Sequence, residues 1–559
     1  MFRFHPKILD TLPAYDRGSL GSDIAAGITV GVLALPLAMA FAIASGMSPS
    51  AGIWTAIVAG FLVSLLGGSR VQIGGPTGAF IPIVYVIVLE HGVANLLVAT
   101  MMAGVMLFAM GAFKLGSMVR FIPVSVVIGF TNGIAVVIFL SQIKDFLGLD
   151  IDQLPGEFFA KMAALIGALG SLQPATVALS VGSIVVLLGW NRLGRRLAWM
   201  RRIPGPLAVL VLGTLANALF VFPVETIGSR FGGIPQGLPD FGLPAVEVGT
   251  LGKLLAPALT IALLGAIESL LSARVADNRI KDRHDPNQEL MAQGVANLAA
   301  PLFGGFAATG AIARTATNIR SGGRTPVAGI IHSGVLLAMV LALAPLASHI
   351  PLATLSAIVV VVAINMGEWH ALRRSELLRH SPAHTTTLLT TFAVTVLFDL
   401  TLAVQIGMLM SALMFIYRMS DLTRLEAIDL SGHAPPEVLQ QPDGGPRILA
   451  WRLEGSLFFG ATNKLDTLLS HETGQPEVVI LDLDRLVHID TTGLSILEDV
   501  RRSLAERDIR LVLAGLNPQP AQLLARAGFD SAPGHEAFAL DLDEALARVS
   551  LSSYGDEQT

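Results

Sequence analysis

Apolar residues fill long, nearly unbroken runs along the first 420 positions or so of the chain. A full crossing of a bilayer takes roughly 20 such residues, because the hydrocarbon layer is about 30 Å thick and a helix rises about 1.5 Å per residue. The runs predict helices near 24–45, 51–68, 94–112, 121–142, 174–190, 204–222, 254–274, 288–302, 326–345, 352–366, 384–398 and 400–418. Two shorter helical stretches, about 76–90 and 309–320, follow glycine-rich breaks in GGPTGAF and GGFAATGAIAR. The expectation is fourteen segments, twelve ordinary and two interrupted. From about 447 the period changes. RILAWRL, EVVILDLD and IRLVLAG read as short strands, with helical patterns between and after them, which predicts a small α/β domain.

The breaks fall at the third segment of each set of seven. A half-helix of 12–15 residues is only ~18–22 Å long, so it must begin near the membrane midplane after extended backbone. Such backbone is tolerated only where protein buries it or where it lines a wet cavity. Two halves of opposite orientation, each broken at the same place, are the pattern of an inverted-repeat transporter. The two half-helix N-termini then face one another, each with free N–H groups and a partial positive charge, a setting that favours an anion. Pro76 suits a first helical position, and Thr77 and Thr309 can add hydroxyl donors. Taken singly, the glycines fit close helix packing equally well.

Composition agrees with the pattern. Hydrophobic residues make up 53% of the 559, charged residues 14%, and mean hydropathy is +0.65, which places the chain among polytopic membrane proteins. There is no cysteine, which excludes disulfides and a thiolate-ligated zinc site. The first 20 residues carry charge and proline but no short apolar run with a small-residue cleavage site, so no cleaved signal peptide is expected. Charge divides the chain: the net is +7 before residue 425 and −12 from there on. With the N-terminus in the cytoplasm, 22 basic residues fall in cytoplasmic loops and four outside, namely Lys144, Lys161, Arg230 and Lys253. That bias predicts cytoplasmic N- and C-termini. The expected organisation is a cytoplasmic segment at 1–22, a membrane domain at 23–424 with repeats at about 23–222 and 250–420, and a cytoplasmic domain at 435–555.

Ionisable groups inside the spans are the next candidates. Glu268, in LLGAIESLLSARVAD, is the lone acid of segment 254–274 and can carry a coupled proton; a structural hydrogen bond is the alternative. Ser272 lies one turn on. Arg314 either attracts anions or pairs with Glu268. Asn132, Asn297 and Asn365 read as polar contacts between helices, Asp399 as a loop residue, and Lys144 and Asp145 as interfacial charges. In the soluble domain, Asp490 or Thr491 can cap the helix after DTTG.

GITVGVLALPLAMAFAIASG, GGSRVQIGGPTGAF, LLGAIESLLSARVAD, AQGVANLAAPLFGG and ATGAIARTATNIRSGG together resemble the SulP (sulfate permease) family, over about 18–550. GAIESLL and the half-helix sequence look most similar to its bacterial C4-dicarboxylic acid transporter branch. The resemblance implies an α-helical polytopic membrane protein of fourteen segments in two inverted repeats, core and gate domains, a C-terminal STAS domain and a homodimer. It implies an anion site formed by Leu33, Leu37 and Phe41 of the first segment, Thr77 and Gly78 of the third, Glu268 of the eighth, and Ala308, Thr309, Gly310, Ala311, Ile312 and Arg314 around the tenth. Animal members carry glutamines where this chain has Ala34 and Leu37, so this wall is less polar. Sodium-using bicarbonate members carry an aspartate where Glu268 stands, and the longer acid points to protons. DTTG resembles the DSSG turn of anti-sigma-factor antagonists, whose phosphorylated position is Thr492 here.

These readings combine into proton-coupled uptake of a C4-dicarboxylate (succinate, fumarate or aspartate) across a bacterial inner membrane, by an elevator-like shift. Sulfate or bicarbonate transport is the alternative; an anion sensor signalling through the STAS domain to a cytoplasmic protein is another. A passive channel is disfavoured by the lack of a continuous polar stripe. No nucleophile–base pair or metal-ligand cluster is visible, so the expectation is no enzyme, no cofactor, no metal and no nucleic-acid partner.

Overall fold

The apolar runs become helices because a backbone in hydrocarbon must satisfy its own N–H and C=O groups. A computed structural model describes residues 4–117, 123–194, 196–197, 200, 203–234, 237–239, 241–244, 248–398, 400–441, 447–465, 476–529 and 538–555. The principal helices of the membrane part are α1 (Arg17–Ala44), α2 (Pro49–Leu66), α3 (Ile81–Ala112), α4 (Val124–Leu147), α5 (Pro174–Leu193), α6 (Gly205–Phe220), α7 (Leu251–Ile280), α8 (Pro286–Ala299), α9 (Ile312–Arg320), α10 (Val327–Ala347), α11 (Leu352–Met366), α12 (Pro382–Leu397) and α13 (Leu400–Leu422). α3 is interrupted at Gly92, with φ 80°, so helix lies at each of the fourteen expected positions. Among the described residues, six helices are long and apolar enough to cross a membrane by length and composition. Of the 22 basic residues counted as cytoplasmic, Arg3, Arg120, Arg195, Arg201 and Arg202 lie outside the described residues, as does Asp399.

Two compact units result, Met1–Met408 and Leu409–Thr559. Within the first, packing sorts the helices into two groups. α3 lies on α7 and α8, and α1 on α2 and α10; separately, α4 packs on α11 and α12, and α5 on α6 and α11. Gly74–Gly75 (β1) and Thr309–Gly310 (β2) pair antiparallel, Gly74 with Gly310 and Gly75 with Thr309. The two breaks of the chain therefore meet.

Two boundaries differ from expectation. The second half-helix starts at Ile312 rather than 309, because residues 309 and 310 are spent on the strand pair. The first forms a 3₁₀ turn at Gly78–Phe80 before α3, so Pro76 is not a first helical residue; Pro82 takes that kind of place.

In the second unit, β3 (Arg424–Ala427), β4 (Ile448–Leu457), β5 (Val478–Asp482), β6 (Leu486–Ile489) and β7 (Arg510–Ala514) form a sheet of order β3-β4-β5-β7, with β6 also on β4. Only the β3–β4 pair is antiparallel. Apolar residues cover both faces, against α14 (Thr491–Ala505) and α15 (Pro518–Arg526) on one side and α16 (Leu542–Gly555) on the other. Of the two candidate caps, Asp490 does the work: its Oδ1 accepts from the Gly493 N–H at 2.8 Å, and Oδ2 from the Phe459 N–H at 3.2 Å. Asp490→Ala is expected to destabilise the start of α14 by about 1 kcal/mol, read as roughly fivefold faster amide exchange there, while Thr491→Ala leaves exchange unchanged.

Candidate anion site at the crossed half-helices

The site begins with backbone. Gly74–Gly75 and Thr309–Gly310 are extended and buried, and every neighbour supplies them with partners. The Ala311 N–H donates to the Ile73 carbonyl at 2.8 Å, and the Ile73 N–H to Thr315 Oγ1 at 3.1 Å. Asn297 clasps Ala308 twice: its Nδ2 donates to the carbonyl and its Oδ1 accepts from the N–H, each at 2.8 Å. This asparagine is therefore more than a contact between helices; it fixes the strand. Asn132 donates to the Glu368 carbonyl at 3.3 Å, and Asn365 is exposed.

Arg314 is 1% exposed, and its Nη2 donates to the Pro76 carbonyl at 3.1 Å. Among the described residues it forms no ion pair with Glu268, so that alternative is set aside. Its Nη1 is buried without a hydrogen-bond partner and lies 2.2 Å from where a Cβ on Gly75 would stand. Gly75 has φ +146°, a conformation side chains disfavour, so both backbone and space demand glycine. Gly310 is crowded in the same way, with Gln72 Nε2 2.1 Å from its would-be Cβ.

The two threonine hydroxyls serve differently from expectation. Thr77 Oγ1 donates to Glu268 Oε2 at 2.9 Å, and Thr309 Oγ1 to the Gly265 carbonyl at 2.9 Å. Both tie the crossing to α7. Neither half-helix has a side-chain N-cap, so their first N–H groups keep no capping acceptor. Ile312, at the start of α9, is 43% exposed, while Ala308, Thr309, Gly310 and Ala311 behind it are buried. Leu37 and Phe41 of α1 are buried, Leu33 partly exposed, and the Phe41 ring lies 3.9 Å from the would-be Cβ of Gly78. Ser272 donates to Thr315 Oγ1 at 3.4 Å, joining α7 to α9. Thr492 lies apart in the second unit, exposed in the first turn of α14. Asp145 pairs with Arg230 at 2.7 Å, and Lys144 donates to the Asp152 carbonyl at 3.0 Å, both at the end of α4.

Sequence reading missed four contributors. Glu289, fully buried on α8, accepts from Gln72 Nε2 at 2.8 Å, Gln293 Nε2 at 3.0 Å and the Gly68 N–H at 3.0 Å. It anchors the approach to β1, and its signal was an acid directly ahead of the apolar run at 290. Gln72 itself also donates to the Ser269 carbonyl at 3.1 Å. Ile138 of α4 and Met366 of α11 approach Gly78 at 3.4 and 3.8 Å from its would-be Cβ. No sequence signal marks them, because ordinary apolar residues become wall only through packing.

Two cavities lie along α4 and α7. One, of about 1340 Å³, is lined by Val127 and Ile128 of α4 and by Ile267, Leu271 and Arg274 of α7. The other, of about 370 Å³, is lined by Val137 and Ser141 of α4, Thr260 of α7, and Ile81 and Pro82 of α3. Along α7 the two are separated by the stretch between Thr260 and Ile267, about 10 Å of helix, just ahead of Glu268.

The chain matches the model of the Sulfate permease family over residues 20–391 and that of the STAS domain over 441–545. It is 42% identical over 527 residues to the "Putative sulfate transporter YvdB" of Bacillus subtilis, covering 94% of this chain and 97% of that one. It is 30% identical over 552 residues to the "Bicarbonate transporter BicA" of Picosynechococcus sp., covering 96% of each. Among solved structures, the transmembrane domain of a cyanobacterium bicarbonate transporter BicA matches with TM-score 0.62 and 32% identity over 71% of this chain and 98% of that one. The overall structure of SLC26A9 matches with TM-score 0.84 over 99% and 93%, at 17% identity, which shows the fold alone. None of these names mentions a dicarboxylate, so the expected C4-dicarboxylate branch draws no support from them.

Gly75→Ala and Gly310→Ala are each expected to weaken equilibrium binding of labelled sulfate to the purified protein at least about tenfold, since a methyl there displaces Arg314 or Gln72. Binding within twofold of wild type would place the anion elsewhere.

Proposed function

Because the chain belongs to the sulfate permease family, we propose that it is a secondary active transporter of a small inorganic oxyanion, sulfate or bicarbonate, in a bacterial inner membrane. The observation that carries this reading is the pair of uncapped half-helix starts beside the Glu268–Thr77 hydrogen bond. Free N–H groups and helix dipoles at such a crossing attract negative charge. The names of the relatives supply the substrate class: sulfate for the Bacillus protein and bicarbonate for the cyanobacterial one.

Alternating access follows from the two helix groups. The site lies mainly on α1, α3, α7 and α9, while α4 and α11 supply the facing wall through Ile138 and Met366. Sliding one group past the other would exchange the larger cavity for the smaller one. With the expected orientation, the larger cavity, beside Arg274, is cytoplasmic. An elevator-like shift of this kind leaves the anion's own contacts intact during the crossing.

Glu268 is the proposed proton carrier. Moving a divalent anion inward against 100 mV costs about 4.6 kcal/mol, at ~2.3 kcal/mol per charge. Each co-transported proton cancels one charge. The hydroxyl of Thr77 donates to Glu268, which leaves the other carboxyl oxygen to bind a proton.

The test is uptake by proteoliposomes of labelled sulfate, bicarbonate, succinate and fumarate, at acidic and at neutral outside pH, for wild type and Glu268→Gln. Sulfate or bicarbonate uptake is expected to rise at acidic pH in wild type and to lose that rise in the variant. Uptake confined to succinate or fumarate would return the substrate to the C4-dicarboxylates. Uptake indifferent to both pH and the substitution would reduce Glu268 to a structural hydrogen bond.

A further inference from the structure

Of the four basic residues expected outside, three are ordinary. Lys144 donates to a carbonyl, Arg230 pairs with Asp145, and Lys253 is exposed. Lys161 is different. It is 5% exposed, and among the described residues its ammonium has no hydrogen bond or ion pair. Its stem is buried, but its ammonium is not among the unpartnered side-chain atoms closed off from solvent, so the charge faces open space and no protein partner.

The short helix that carries it, Phe158–Gly167, is turned inside out. Phe159 and Ile166 are 69% and 62% exposed, whereas Lys161 and Leu165, one turn apart, are the buried pair. A lysine in so apolar a helix would ordinarily extend its stem toward water. Here it lines the 370 Å³ cavity instead. The same cavity is lined by Ile81 and Pro82, at the start of α3, four and five residues beyond Thr77. The carboxylate in its lining, Glu90, is 65% exposed and sits 3.9 Å from His91, so it does not neutralise the lysine. The volume falls within the range of small-ligand sites.

We propose that Lys161 captures the small oxyanion in the outer cavity, ahead of its transfer to the crossed half-helices. This inference rests on the transport reading above. The lysine is fixed to the segment between α4 and α5, while the half-helices belong to the other helix group. The capture point thus stays put while the transport site approaches and leaves it.

The experiment is uptake of labelled sulfate and bicarbonate into right-side-out vesicles, comparing wild type, Lys161→Gln and Lys161→Arg. The half-saturating outside concentration is expected to rise about tenfold in Lys161→Gln, with the maximal rate within twofold, and to recover in Lys161→Arg. Because the chain has no cysteine, Lys161→Cys offers a single thiol: a cationic methanethiosulfonate is expected to restore affinity and an anionic one to lower it further. Wild-type uptake with an unchanged half-saturation in Lys161→Gln overturns the inference alone. A fall in maximal rate at constant half-saturation, or no rescue by arginine, makes the lysine structural and also overturns it. Wild type that moves neither anion overturns the transport reading itself.

Discussion

Backbone that leaves a helix inside hydrocarbon must find every hydrogen bond from its surroundings, and the membrane unit is organised around that requirement. Each lost partner there costs several kcal/mol. Two breaks are affordable only together, because each supplies the other: Gly74 and Gly75 pair with Gly310 and Thr309. The remaining groups are met by Asn297, Thr315 and Arg314, and Glu289 steadies the approach through Gln72 and Gly68. These side chains come from α8, α9 and the loop ahead of β1. One half of the membrane helices is thereby bound into a single body around the crossing.

That body explains why the other helices are separate. α4 and α11 offer apolar atoms to the crossing, Ile138 and Met366, but no hydrogen bonds to the paired strands among the described residues. An apolar contact is non-directional and can be exchanged for another at small cost. A clasp of hydrogen-bonded strands cannot. The division between a hydrogen-bonded body and an apolar wall is therefore set by bond type, and the proposed sliding would run along that wall.

Much of this was legible in the sequence. Apolar run lengths located the helices, and the breaks at residues 74 and 304 marked the crossing because they are matched and each precedes a half-length helix, where either alone would fit close helix packing as well. What sequence missed was three-dimensional economy. Thr77 and Thr309 look like donors to a ligand, but the structure spends them on Glu268 and Gly265 of α7. Pro76 looks like a helix start, but the chain leaves the strand pair still extended at Thr77 and turns only at Gly78, and the Pro76 carbonyl holds Arg314. Arg314 could have paired with Glu268 or drawn anions, and in the structure each of the two has a separate neutral partner. Glu289 was overlooked because an acid at a helix start needs no explanation until its burial is known.

A carrier must bind its anion and also release it, and the arrangement of charge at the crossing would suit both demands if the proposed site is there. A mobile cation reaching the anion directly would bind tightly and hold on. Here the full positive charge, Arg314, is 1% exposed, hydrogen-bonded to Pro76 and set against the backbone of Gly75. In the proposed site it would act through the strand at one remove, leaving the direct contacts to neutral N–H groups with fractional charge. Tied to the Pro76 carbonyl, the arginine would travel with the strands in the proposed shift and keep the field at the site positive. Glycine at 75 is then the residue on which the compromise depends. Any side chain would push the guanidinium away, and the crossing would lose both the hydrogen bond to Pro76 and the charge on which the proposed anion site relies.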